Sequence, residues 1–298
     1  MPGCELISFK PSSHQYRQAL IDLYQTVLNC PKYDIDCSDH LKEGYQPGPE
    51  ISFVGDKYGE NGVPRILFTR IAPNWLKKYP DFGTRETITE YINSSLPKDI
   101  DEFYNVLLNY WRHPVTDQIY RGYRYWNTVV GHGNQSTDVA KELHEKPKYG
   151  IKLVLLEMAK VGLITNSEEV LDFCAINNLV KCSGRRPAGN PDSTLVNNCL
   201  YYFLEEVRIL EPQILLSFGE EANHHILKRD LLGEAIIYAN LPHPAFRPGP
   251  WNKKHPPEQA STWQNDRERE TYKGCLTLRD QVKELVLSIR KVIGDVVD

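Results

Sequence analysis

The chain has 298 residues, which allows one large α/β domain or a domain that carries a substantial insertion. Its 41% hydrophobic and 25% charged residues are ordinary for a globular protein, and its net charge of −4 argues against a nonspecific nucleic-acid coat protein. No stretch reaches the roughly 20 apolar residues of a membrane helix, and the N-terminus lacks the pattern of a signal peptide. We therefore expect a cytoplasmic location and no membrane partner.

The N-terminal part of the chain predicts one helix and one buried strand. Residues 13–29 place apolar side chains at helical spacing. Residues 38–64 are rich in glycine, proline and charge, which predicts a loop with at most a short strand at Ile51–Val54. Arg65–Ala72 is an apolar run, and it predicts a buried strand that ends at Pro73-Asn74.

The middle of the chain, residues 84–148, has a different composition. It is dense in aromatic residues and shows no strong strand pattern, so it predicts a mostly helical insertion within a single domain of residues 1–298. Because so many aromatic side chains need burial, we expect this insertion to pack beside the functional site. Tyr149–Val161 then predicts an amphipathic helix that ends at Gly162.

The rest of the chain alternates strands with helices. Strands are predicted at Phe173–Val180, Gln213–Ser217 and Ala235–Tyr238, and helices at Ser193–Leu210 and Asp280–Ile293. This alternation predicts a three-layer α/β/α fold around a central, mostly parallel four-stranded sheet. In such sheets, functional groups gather at the carboxyl ends of the strands.

Three polar clusters follow the predicted strand ends and carry a family resemblance. Asn177-Asn-Leu-Val-Lys-Cys182 and Glu211-Pro-Gln-Ile-Leu-Leu-Ser-Phe-Gly219 resemble the family run "TN-I-V-K-C…P-x-I-I-x-x-L-G". Leu241-Pro-His-Pro-Ala-Phe246 resembles an "H-P-S/A" motif. Together with Pro73-Asn74, these segments are similar to the uracil-DNA glycosylase superfamily, and most similar to its iron–sulfur family 4.

The resemblance covers residues 25–83 and 149–290, and it carries expectations about fold and activity. It implies a uracil-DNA glycosylase-like fold and a monofunctional DNA glycosylase of base-excision repair. Such an enzyme flips a base out of DNA and hydrolyses its N-glycosidic bond. The implied substrate is uracil or a modified pyrimidine, and the implied partner is DNA, bound by a monomer.

The first motif departs from family 4. The chain has Arg70-Ile-Ala-Pro-Asn74 where that family has "G-E-A-P-G", so Ile71 replaces an acid and resembles the apolar residue of family 5. Asn74 is then the nearest polar side chain that could orient the attacking water. Backbone amides near Ala72 and Pro73 would contact the base or the sugar.

The resemblance also implies roles for three further residues. Asn178 would read the Watson–Crick edge of the flipped base, because a side-chain amide both donates and accepts hydrogen bonds. His243 would stabilise the departing base anion, and Phe82 would stack on the base. The structural alternatives are a strand-end asparagine that caps backbone groups, a histidine held beside proline, and a core phenylalanine.

The loop after the third motif combines apolar and cationic side chains. Such a pairing suits a loop that enters the minor groove and contacts phosphates, although a solvated surface loop is the alternative. Two arginines on the loop after the second motif would extend the same basic face. The residues assigned to DNA are Arg185, Arg186, Phe246, Arg247, Trp251 and Lys253.

Seven cysteines are too few and too scattered for a disulfide scaffold in a chain of this length. By the resemblance, Cys30, Cys37, Cys182 and Cys199 would hold a 4Fe–4S cluster. The family's Cys-x-x-Cys is absent, so Cys37 is assigned as the nearby replacement. Structural zinc and four unligated cysteines are the alternatives.

Two rival functions stay open. The aromatic insertion and the altered first motif also suit a glycosylase for a bulky modified base in phage DNA, with a role in defence. The missing acid equally suits a non-catalytic nucleic-acid-binding protein on the same fold, since a fold does not fix a function. Formation of alkali-labile abasic sites would separate catalysis from binding.

Overall fold

The computed structural model describes residues 11–40, 52–71, 150–167, 169–182, 193–228, 236–241 and 278–297. In these ranges the strands are β1 Phe53–Val54, β2 Ile66–Arg70, β3 Cys174–Asn178, β4 Ile214–Phe218 and β5 Ile237–Leu241. The α-helices of the same described residues are α1 Ser13–Leu28, α2 Ile151–Lys160, α3 Ser193–Leu210, α4 Glu220–Lys228 and α5 Leu278–Val297. A π-helical turn, Tyr33–Cys37, and two short 3-10 turns, Ser38–His40 and Val170–Phe173, complete these elements.

The strands form one five-stranded sheet in the order β1-β3-β2-β4-β5. β3, β2, β4 and β5 pair in parallel, whereas β1 pairs antiparallel with β3. The α/β class expected from the sequence is confirmed, but the expected four-stranded sheet is corrected to a mixed sheet of five strands. A helix lies between each two successive parallel strands, α2 between β2 and β3, α3 between β3 and β4, and α4 between β4 and β5, as parallel pairing requires.

The strand β1 has two residues and lies within the short strand expected at Ile51–Val54, in a segment otherwise predicted as a loop. It is extended by Gly55, whose N–H donates to the Cys174 carbonyl over 2.9 Å. A Cβ on Gly55 would lie 2.3 Å from the Asp172 carbonyl oxygen, so only glycine permits this close approach. Tertiary pairing, rather than a local run of β-branched residues, therefore makes this edge strand.

The sheet separates two apolar cores, because side chains alternate between its faces. Along β4, Ile214 and Leu216 belong to one core and Leu215 to the other. α2 and α5 cover the first face, whereas α1, α3 and α4 cover the second. This arrangement is the three-layer α/β/α architecture.

Element boundaries differ from the sequence prediction chiefly at β5. Alternation of residue types predicts a strand at Ala235–Tyr238, but β5 continues to Leu241 because it pairs in parallel with β4 as far as Phe218. The proposed insertion, residues 84–148, lies outside the described residues. Among the described helices, none is long and apolar enough to cross a membrane.

Candidate functional site

The carboxyl ends of the parallel strands bring the second motif against the first. Asn178, the last residue of β3, pairs in register with Arg70, the last residue of β2. The chain stays beside β2 beyond the strand ends, since Leu179 N–H donates to the Arg70 carbonyl over 2.8 Å and Val180 N–H donates to the Ile71 carbonyl over 2.9 Å. Asn178 is buried, with 1% of its surface exposed. The edge of the sheet thus holds this asparagine in a defined position.

A row of polar side chains crosses the sheet one residue before this edge. Asn177, Thr69, Ser217 and Asn240 stand in register on four adjacent strands. Thr69 Oγ1 donates to Asn177 Oδ1 over 2.8 Å, and Ser217 Oγ donates to Asn240 Oδ1 over 2.8 Å. All four are buried. Because buried polar groups are costly unless they are hydrogen-bonded, this row is a built feature of the carboxyl edge.

One end of the polar row meets a buried ion pair, Lys181–Glu206. Glu206 Oε1 accepts hydrogen bonds from Tyr24 OH over 2.9 Å and from Ser52 Oγ over 2.8 Å. Glu206 Oε2 accepts from Asn177 Nδ2 over 3.0 Å and from Lys181 Nζ. The carboxylate is fully buried yet has four donors, so its negative charge is well satisfied.

Three of the four assigned cysteines border the apolar core that α1 and α3 share, although Cys199 is far from the other two in the chain. Cys30 and Cys37 follow α1, and Cys199 lies on the buried face of α3. Burial raises the pKa of the Cys199 thiol to about 11, and the nearby Cys37 and Cys30 add to this rise against the lowering effect of Lys181. Burial also raises the pKa of the Cys37 thiol, with Cys30 contributing. These three sulfur atoms therefore share one electrostatic environment.

Cys30, Cys37 and Cys199 are called the cysteine group below. Two N–H groups donate hydrogen bonds to its sulfur atoms. Lys181 N–H donates to Cys199 Sγ over 3.4 Å, and Asn198 Nδ2 donates to Cys37 Sγ over 3.4 Å. Cys182, the fourth assigned cysteine, follows Lys181 directly and is half-buried. Within the described ranges, no group of three or more His, Cys, Asp or Glu side chains has an arrangement that could hold a metal ion.

Two other sequence-assigned positions can be placed. Ile71 is buried in the core on the α1 and α3 side, with 7% of its surface exposed. Cys174, expected to be a core residue, is fully buried on the opposite face of the sheet. The assigned residues that lie outside the described part of the chain are Ala72, Pro73, Asn74, Phe82, Arg185, Arg186, His243, Phe246, Arg247, Trp251 and Lys253.

Sequence reasoning missed Glu206 and the role of Lys181. Glu206 occupies an apolar position of α3, since Tyr202, Phe203, Val207 and Leu210 around it are buried at helical spacing. A charged residue at such a position is the signal that could have identified it. Lys181 lies inside the motif, but the direction of its side chain could not be read from the sequence.

No protein-family model matches this chain, and no curated protein sequence matches it at a significant level.

Proposed function

We propose that this protein is a monofunctional DNA glycosylase of the uracil-DNA glycosylase superfamily, located in the cytoplasm and acting on a base flipped out of DNA. One observation carries the proposal. Asn178, assigned to base reading, lies at the carboxyl edge of the parallel strands, and Lys181 N–H, in the segment that leaves it, donates to Cys199 Sγ over 3.4 Å. The base-reading and thiolate parts of the resemblance are thus neighbours in space.

The reaction needs groups that hold the base and stabilise separating charges. Cleavage of the N-glycosidic bond produces an oxocarbenium-like sugar and a base that leaves as an anion. Asn178 would hold the base edge through its side-chain amide, and His243 would donate to the base as its negative charge develops. Phe82 would stack on the base, and the arginines and apolar residues assigned to DNA would hold the distorted duplex.

The proposal includes a 4Fe–4S cluster, which Cys30, Cys37, Cys182 and Cys199 would bind. Thiolates are the ligands that such clusters take, and N–H donors to sulfur, as Lys181 and Asn198 provide here, stabilise their negative charge. The role of the cluster would be structural, because this hydrolysis moves no electrons. It would cross-link segments that are distant in the chain.

The buried position of Ile71 bears on the substrate. An apolar side chain packed into the core supplies neither a base nor a hydrogen bond for the attacking water. Asn74 would orient this water without deprotonating it. We therefore extend the proposed substrates beyond uracil to modified pyrimidines, including bulky ones.

The experiment is an excision assay on 5′-labelled DNA strands that each carry uracil or one modified pyrimidine, in single-stranded and duplex form. We expect alkali-labile abasic sites on at least one of these bases. The matched control is His243→Ala, for which we expect a single-turnover rate lower by about 10²–10³-fold with little change in DNA binding. This control also detects a contaminating glycosylase, since a contaminant would leave the rate unchanged. Binding of DNA without abasic sites would favour a non-catalytic role.

A further inference from the structure

The ion pair Lys181–Glu206 is more deeply buried than any other whose side-chain exposure the structure gives in its described part. Lys181 has 1% of its side chain exposed and Glu206 has none. Removing two charges from water costs more than their attraction commonly returns, so a buried pair contributes little to stability compared with apolar residues of the same size. Such a pair is better explained by the particular geometry that it enforces.

The geometry that this pair enforces is that of the end of β3. Lys181 lies three residues beyond Asn178, and its side chain turns back so that Nζ donates to the Asn178 carbonyl oxygen. Asn177, the preceding residue, donates from its side chain to Glu206 over 3.0 Å. Both asparagines of the motif are therefore held by the same carboxylate, one directly and one through the lysine.

Lys181 also contacts the cysteine group, through its main-chain N–H. Lys181 N–H donates to Cys199 Sγ, and Cys199 lies on the same helix as Glu206, seven residues earlier. α3 thus holds Lys181 at two points, at the backbone N–H and at the ammonium group. A shift of α3 or of the cysteine group would therefore move Lys181, and with it the carbonyl of Asn178.

We propose that Lys181 and Glu206 are positioning residues that fix the backbone at Asn178 and thereby set which base is accepted. This inference rests on the proposed glycosylase function. A purely structural pair would affect the amount of folded protein and would leave the choice of base unchanged. A positioning pair changes the choice of base itself, because a small displacement of the reading group alters its hydrogen bonds to each base differently.

The test compares Lys181→Met, Glu206→Gln and the double variant K181M/E206Q with the wild type. Each single change leaves one buried charge without its partner, and we expect lower urea midpoints for both. The double variant is neutral and keeps an oxygen for Tyr24 and Ser52, so we expect its midpoint to recover. The panel is the set of bases used in the excision assay above. The measured quantity is the ratio of single-turnover excision rates on the two panel bases that the wild type excises fastest and second fastest, here called the best and second-best bases. This ratio does not depend on the fraction of folded enzyme.

A second buried cation supplies the matched control. Arg17 donates to the Val54 carbonyl over 3.0 Å and to Asp56, so it also joins a strand-end carbonyl to a carboxylate. Val54 pairs with Ala175 near the start of β3, away from the edge that holds Asn178. R17M/D56N should therefore lower stability and keep the wild-type ratio.

We expect the ratio to fall at least about tenfold in K181M/E206Q and in both single variants, and the rate on the best base to fall by about 10²-fold. An unchanged ratio in a folded K181M/E206Q variant would overturn the inference while leaving the proposed function intact. If the double variant does not fold, an unchanged ratio in Glu206→Gln has the same meaning. No excision by the wild type on any base of the panel would instead overturn the proposed function, and the inference with it.

Discussion

Asn178 is the residue on which base reading depends in this account. Replacement by alanine removes an amide that both donates and accepts, so we expect slower single-turnover excision, by about 10²-fold, and weaker discrimination between bases. Asn223→Ala is the matched control, because Asn223 is equally buried but accepts from Tyr238 OH over 2.7 Å beside β5. Wild-type excision and discrimination by Asn178→Ala would refute the assignment.

Ile71 is the residue at which the chain departs most from family 4. Because it packs in an apolar core, glutamate there would be desolvated and held in its neutral form rather than act as a base. We expect Ile71→Glu to lower the free energy of unfolding by at least about 2 kcal/mol without a gain of uracil excision. Chemical denaturation and the excision assay measure the two effects.

Ile71→Leu is the control for this substitution, since it keeps the apolar volume and should cost less than about 1.5 kcal/mol. A gain of uracil excision in Ile71→Glu, with stability retained, would mean that position 71 faces the site rather than the core.

At the scale of elements, α3 connects the parts of the site, because its buried face carries Cys199, Tyr202, Phe203 and Glu206. Phe203 is fully buried in the core shared with α1. We expect Phe203→Ala to lower the free energy of unfolding by about 3–5 kcal/mol, measured by urea denaturation. Tyr201→Ala, on the exposed face of the same helix, should cost about 1 kcal/mol or less, although it loses a ring contact with Tyr202. Equal losses would contradict the packing described for α3.

The elements also indicate what a sequence can and cannot predict here. Helical spacing predicts α3 with its observed bounds, and apolar runs predict β2, β3 and β4 to within a few residues. β1 lies within the short strand expected at Ile51–Val54, but two residues carry too short a pattern to predict its place in the sheet. Its antiparallel pairing is with a strand about 120 residues later, which no local signal reports.

The candidate site, too, can be predicted from the sequence only in part. Asn178, Cys182 and Cys199 could be selected because they lie on the segment that resembles the family run. The network around Glu206 could not, because Tyr24 and Ser52 reach it from 182 and 154 residues away in the chain. Such contacts follow from the packing of α1 and β1 against α3, which only the folded chain reveals.

Across the molecule, the cysteine group links three segments: the one after α1, the helix α3 and the one after β3. If it binds a 4Fe–4S cluster, the purified protein should be brown and contain about four iron atoms per chain. Cys199→Ser should lose the iron together with soluble yield, because the cluster holds distant segments together. Elemental analysis and visible absorption measure the iron content of the wild type and of this variant.

Cys174→Ala is the matched control, since Cys174 is buried on the other face of the sheet, apart from this group. It should keep its iron. Stoichiometric zinc without iron would replace the cluster by a structural zinc site, and wild-type protein with neither metal would leave four unligated cysteines.

The central claim, cleavage of an N-glycosidic bond, is tested most directly by identifying both products before any alkali treatment. The wild-type protein is incubated with duplex DNA that carries one base of the panel, and the mixture is analysed by mass spectrometry. If the protein cleaves this bond, we expect free base and an abasic strand of unbroken length in equal amounts. Protein-bound DNA that retains its base, for every base of the panel, would contradict it.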